Sequence, residues 1–140
     1  MRLLRVDHIG VAVESLDAAR ALWEGKLGLH AKAVEEVPAQ KVRVAFLPLA
    51  GVKFELLEAT DPASPIARHV AKRGEGLHHV AFEVDDIRAA MQEARAQGMA
   101  PLTEEPGRGA GGKWVCFLHP KDTGGVLVEF VQPAAPPDAP

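Results

Sequence analysis

Four side chains able to bind metal recur in this 140-residue chain as two matched pairs. His8 lies in Asp7-His8-Ile9-Gly10-Val11-Ala12-Val13, and His79 lies in His78-His79-Val80-Ala81-Phe82-Glu83-Val84, an offset of 79 − 8 = 71. Glu55 lies in Gly51-Val52-Lys53-Phe54-Glu55-Leu56-Leu57, and Glu129 lies in Gly125-Val126-Leu127-Val128-Glu129-Phe130-Val131, an offset of 129 − 55 = 74. Two imidazoles and two carboxylates make an N₂O₂ set for one divalent ion, with two further positions open in octahedral geometry. Two ionised glutamates offset the ion's charge, whereas an empty site would leave two carboxylates in mutual repulsion. Taken singly, a strand histidine is usually hydrogen-bonded structure and a glutamate is usually solvated. The repetition, in the same order and at nearly one offset, is what makes His8, Glu55, His79 and Glu129 a set.

The elements that must hold this set follow from the same duplication. In the first strand Ile9, Val11 and Val13 alternate with His8, Gly10 and Ala12; in its twin Val80, Phe82 and Val84 alternate with His79, Ala81 and Glu83. Period two puts bulky apolar groups on one face and the histidines, with small neighbours, on the other. The first helix is predicted from Ser15 through Leu16, Ala19 and Trp23 to Gly28. The second runs from Asp85 or Asp86 through Ile87, Ala90, Met91 and Ala94 to Gly98. Between the halves, Ser64 caps a linker helix over about 64–74, with Pro65 at its first position and Gly74 after its end. Short β-branched runs, Val42–Leu47 and the stretch around Val115 and Phe117, supply further strands. The expected fold is α+β: two duplicated βαβββ modules, about 4–60 and 76–132, forming a curved mixed sheet cup around a metal site. A single domain then spans 1–132, and the Pro/Ala-rich 133–140 is expected to be a flexible tail. Strand alternation places His78 on the face opposite His79, with Asp7 at its equivalent position. His30, His69 and His119 have no counterpart in the other half and are expected outside the metal's ligand shell.

Composition narrows the function classes. A net charge of −3 gives no broad basic field, which argues against nucleic acid. No apolar run reaches the roughly 20 residues of a membrane helix, and the charged start Met1-Arg2-Leu3-Leu4-Arg5 does not read as a secretory signal. Cytoplasm is the expected location. The single cysteine, Cys116, sits in an apolar run and reads as buried and inert.

From about Leu4 to Gln132 the sequence resembles the vicinal oxygen chelate superfamily, whose paired βαβββ modules form a metal cup. Within it the chain is most similar to the methylmalonyl-CoA epimerase family. The stretches that carry this are Val42–Pro48 leading into Phe54–Glu58, Ser64–Ala67 leading into Arg73–Ile87, and Gly109–Lys113 followed by Phe117–Lys121 and Gly125–Glu129. The resemblance implies interconversion of (R)- and (S)-methylmalonyl-CoA by C2 proton abstraction through a metal-stabilised enolate. It also implies a CoA thioester substrate, a homodimer, and one divalent ion, Co²⁺ before Mn²⁺, Ni²⁺ or Zn²⁺. Carried over by position, His8, Glu55, His79 and Glu129 are ligands, and Glu129 and Glu55 are the acid–base candidates. Many members have Gln at the Glu55 position. Some have a second catalytic Glu after a Gln-Gly-Val stretch; here the matching run Gln40-Lys41-Val42-Arg43 ends on Val44, so the partner acid must be another group, Glu55 or a metal-bound water. Gly111, Gly112, Lys113 and Lys121, with Arg108 nearby, are expected to meet the substrate carboxylate and the CoA phosphates, the alternative being an ordinary turn.

Three rivals share the fold. A glyoxalase I would use a similar ligand set on a hemithioacetal. An extradiol dioxygenase would hold iron(II) with two histidines and one glutamate, leaving Glu55 unbound. A metal-free binding module that sequesters small ligands would show no bound ion and no turnover.

Overall fold

The computed structural model describes residues 1–133. Apart from Pro133, the tail lies outside the described residues. Eight strands form one curled sheet in the order β2-β3-β4-β1-β5-β8-β7-β6. They are β1 Arg5–Val13, β2 Ala33–Val37, β3 Val42–Leu49, β4 Val52–Ala59, β5 Gly76–Glu83, β6 Gly107–Arg108, β7 Trp114–Phe117 and β8 Val128–Gln132. The order reads the same from either edge once each strand is exchanged for its counterpart four places later. This mixed, curled half-barrel agrees with the expected fold class.

Register carries the same symmetry. The central pair β1–β5 is antiparallel and matches His8 with Ala81 and Gly10 with His79. Each central strand has a parallel neighbour: Gly10 faces Glu55 on β4, and Ala81 faces Glu129 on β8. The next strands are antiparallel, with Phe46 opposite Glu55 and Phe117 opposite Glu129. All four candidate ligands therefore sit near the middle of the sheet, one register position from the central pair Ile9–Val80 on each side.

Two helices cover the convex face and a third lies over the cup, each with one apolar stripe to bury. In α1, Leu16–Arg20, the Ser15 hydroxyl accepts from the Ala18 amide. Leu16 and Ala19 pack on Val11, Val13, Leu47 and Leu56. The helix continues as a π-helical turn over Ala21–Lys26, which the apolar spacing did not foretell. In α3, Ile87–Ala96, Asp86 caps the Ala89 amide, and Ile87, Ala90, Met91 and Ala94 pack on Cys116, Leu118 and Phe130. Truncating a side chain as buried as Leu16 or Met91 should cost ~2–5 kcal/mol. The linker helix α2, Pro65–Arg73, is capped by Ser64 and followed by Gly74 at φ +79°. It buries Ile66 against Ala12, Val42, Val44 and Leu57, over the cup.

Candidate functional site

His8, Glu55, His79 and Glu129 are 5%, 5%, 8% and 3% exposed, and all four line one cavity of about 360 Å³ on the concave side. Gly10 makes their approach possible. A Cβ built on it would lie 2.1 Å from His79 Cε1, so the His79 ring occupies the space an alanine would take. Phe117 closes the other side of that ring edge-on, with centroids 5.4 Å apart.

Three donor atoms converge. His8 Nε2 and His79 Nε2 are 3.0 Å apart, and Glu129 Oε1 lies 3.0 Å from the first and 3.2 Å from the second. The angles at Glu129 Oε1 are not those of a hydrogen bond, which leaves this buried oxygen without a hydrogen-bond partner. Three lone-pair donors aimed at one another, with an orphaned buried oxygen among them, are what a cation would satisfy. The residues present fit a divalent ion. Glu55 stands to one side: its Oε2 is 3.2 Å from His8 Nδ1, and it groups with Asp7 and His8 rather than with His79 and Glu129.

The charge states of the two glutamates differ. Burial pushes the Glu129 carboxyl up, but the close His79 and His8 rings overcome it and bring it down to about 2. Burial raises Glu55, and the nearby Glu129 charge adds to this while His8 opposes it. Burial likewise disfavours the charged form of His8, yet Asp7, Glu129 and Glu55 together raise it to about 9.

The strand alternation misplaced two residues. Asp7 has no partner between the pairs Val6–Phe82 and His8–Ala81, and His78 has none between Gly10–His79 and Val11–Leu77. Each is the extra residue of a β-bulge, and a bulge turns two consecutive side chains toward one side. His78 therefore does not point away from the cup. Its Nδ1 is 2.9 Å from His79 Nδ1, it lines the cavity, and its other side meets the His69 ring at 4.8 Å. Asp7, 1% exposed, places Oδ2 2.7 Å from His8 Nδ1. That these positions are equivalent was legible; that both side chains touch the candidate ligand rings was not, because alternation assumes an unbroken pleat.

The glycine loop is fastened rather than open. The Gly111 amide donates to the Glu35 carboxylate on β2, at 3.1 and 3.2 Å. The Gly112 amide donates to Gly109 O within the turn. Lys113 and Ala110 line the cup, but the Lys113 ammonium lies on Asp7 at 3.0 and 3.1 Å. Arg108 sits over the Trp114 ring at 3.4 Å and donates to Gly112 O. Lys121 is in a short 3₁₀ turn, Pro120–Asp122, outside the cavity lining. Val44, where some relatives carry Glu, is a buried wall residue.

Residues 7–117 match the glyoxalase/bleomycin resistance protein/dioxygenase superfamily. The chain belongs to that superfamily. Within it the chain falls in the methylmalonyl-CoA epimerase family. It is 41% identical to the mitochondrial methylmalonyl-CoA epimerase of Homo sapiens, over 91% of this chain and 73% of that protein. It is 42% identical to the ethylmalonyl-CoA/methylmalonyl-CoA epimerase of Cereibacter sphaeroides, over 91% of this chain and 97% of that one. A variant of the Streptomyces coelicolor methylmalonyl-CoA epimerase in complex with 2-nitronate-propionyl-CoA superposes with a TM-score of 0.90 at 38% identity, covering 96% of this chain and 100% of that one. No helix among the described residues is long and apolar enough to cross a membrane.

Proposed function

We propose that this chain interconverts (R)- and (S)-methylmalonyl-CoA by removing and returning the C2 proton. The observation that carries the reading is the pair of register-equivalent carboxylates facing one cavity, one held ionised and the other pushed toward its protonated form. Two carboxyls driven apart in this way are what a base and an acid require. Glu129 is the base and takes the proton on one face of C2. Glu55 is the acid and returns it on the other, which answers for the missing glutamate at Val44.

His8, His79 and Glu129 would hold the divalent ion, while Glu55, grouped with Asp7 and His8 instead, stays free to carry the returning proton. The ion would supply fixed positive charge beside the thioester oxygen, which gains electron density as the proton leaves. The apolar walls, including Val44, Leu57 and Val131, keep bulk water from competing for that proton. The resemblance supplies the rest: a CoA thioester substrate, a homodimer in the cytoplasm and cobalt(II) as the first metal to try.

Incubating the protein with methylmalonyl-CoA in deuterated water tests this. Deuterium should enter C2, with cobalt(II) or manganese(II) present. Conversion of a methylglyoxal–glutathione adduct with no deuterium entering methylmalonyl-CoA would assign a glyoxalase instead. The trio His8, His79 and Glu129, set apart from Glu55, is also the ligand set of an iron(II) dioxygenase. Oxygen uptake with a catechol and iron(II), without C2 exchange, would favour that reading.

A further inference from the structure

Neither the ligand set nor the proton transfer uses Asp7, yet it is among the most buried side chains of the molecule. Its Oδ2 receives the His8 Nδ1 contact at 2.7 Å, and both of its oxygens accept from Lys113. Lys53 approaches at 3.4 Å and Arg5 at 3.5 Å. A carboxylate that accepts a proton at Nδ1 fixes the imidazole as the Nδ1–H tautomer and leaves Nε2 as the free donor, here the atom facing His79 and Glu129. Lys113 closes the glycine loop, whose Gly111 amide is tied to Glu35 on the opposite sheet edge. The loop thus spans the cup between two carboxylates, one on the rim and one behind a ligand.

We propose that Asp7 is a positioning residue with two tasks: it holds His8 with Nε2 toward the cation, and through Lys113 it fastens the 109–113 loop across the cup. This rests on the cation site of the proposed function and not on the identity of the substrate.

Asp7→Asn keeps the shape of the side chain and removes its charge. Cobalt(II) affinity, titrated without substrate, should fall by ~10–100-fold. Amide hydrogen exchange over 109–113 should speed up in the same variant, although the loop sequence is unchanged. Lys113→Met should speed loop exchange alone, leaving cobalt affinity within about threefold of the parent because the His8 contact remains. Should Asp7→Asn fail to fold, nitrogen NMR of the zinc-loaded parent protein reads the tautomer directly, and Nδ1 of His8 must carry the proton. An unprotonated Nδ1, unchanged cobalt affinity in Asp7→Asn, or unchanged loop exchange in either variant would overturn the proposal. None of these readings involves methylmalonyl-CoA, so a failure of the epimerase assignment leaves them intact.

Discussion

The two halves of the sheet share a backbone plan and differ in what that plan holds. Each places a histidine on its central strand, a small residue two positions on, a glutamate beside that small residue, and a bulge residue against the histidine's Nδ1. In the first half the bulge residue is Asp7, ringed by Lys113, Lys53 and Arg5 and kept ionised: burial opposes the charge, but hydrogen bonds from His8 and Lys113 and the lysine charges prevail. In the second half it is His78, which burial and the neighbouring His79 and His69 hold neutral, down to about 3. The carboxylates reverse this order: Glu55 is raised and Glu129 lowered. Duplication set the positions, and charge then divided the labour. In the proposed reaction the first half would contribute charged support and the acid, and the second the base.

The largest test of that division is at the two glutamates. Glu129→Gln should reduce deuterium exchange into methylmalonyl-CoA by at least ~100-fold, the scale of losing a general base. Glu55→Gln should cost less exchange, since Glu129 can still take and return the C2 proton on its own face. Equal losses would mean that the two carboxyls are not differentiated as their surroundings indicate.

Next comes the small-residue pair. Gly10→Ala puts a methyl group into the His79 ring and should cost ~1–3 kcal/mol in a thermal or urea melt, the price of overpacking, and weaken cobalt binding as the ring moves. Ala81→Gly, the same change in reverse on the other strand, should cost ~0.5–1 kcal/mol through backbone freedom and leave the cation affinity alone.

How much of this was legible in the sequence depends on the physics that writes each feature. Alternation, caps and stop signals are local, so the curled mixed sheet and the helix starts at Ser15, Ser64 and Asp86 could be read from neighbouring residues. The recurrence of His and Glu at one offset identified four residues that the fold brings into one cavity. The bulges were not legible, because whether a strand carries an extra residue is decided by pairing with a partner some 70 residues away. The Asp7–Lys113 contact, 106 residues apart, has no local signal at all. The contacts of the glycine loop's basic residues have no local signal either: Lys113 is engaged by Asp7, and Arg108 by Trp114 and Gly112.

Proton competition gives a smaller, graded effect centred on the first half. His8 is raised from 6.5 to about 9, so its protonated form stabilises the metal-free fold fully below pH 6.5, and that contribution is lost as pH climbs through 9. A cation needs the same nitrogen free of its proton. Cobalt affinity should therefore rise by about tenfold per pH unit between 7 and 9, with one proton released per ion. Over the same range the metal-free protein should lose thermal stability. A flat affinity profile would mean that His8 carries no proton for the cation to displace.

The smallest effect is expected at His78, and it sharpens the contrast with Asp7. Both side chains touch the Nδ1 of a candidate ligand histidine, so a purely geometric view would make their removal equivalent. Two differences separate them. His78 offers a neutral nitrogen to His79, whereas Asp7 offers a charged oxygen, and charge-assisted hydrogen bonds are roughly twice as strong. His78 is also half-buried and lines both the cup and the adjoining cavity, so on its removal water can reach His79 Nδ1 and replace the lost contact. Asp7 is sealed behind its lysines, and no such substitute can enter. His78→Ala should accordingly lower cobalt affinity by no more than ~10-fold, the bottom of the range for a residue that orients a metal-binding histidine. A chromophoric chelator in competition with the protein measures this beside Asp7→Asn. A loss at His78 equal to or larger than that at Asp7 would reverse the asymmetry and make the second half the one whose support matters.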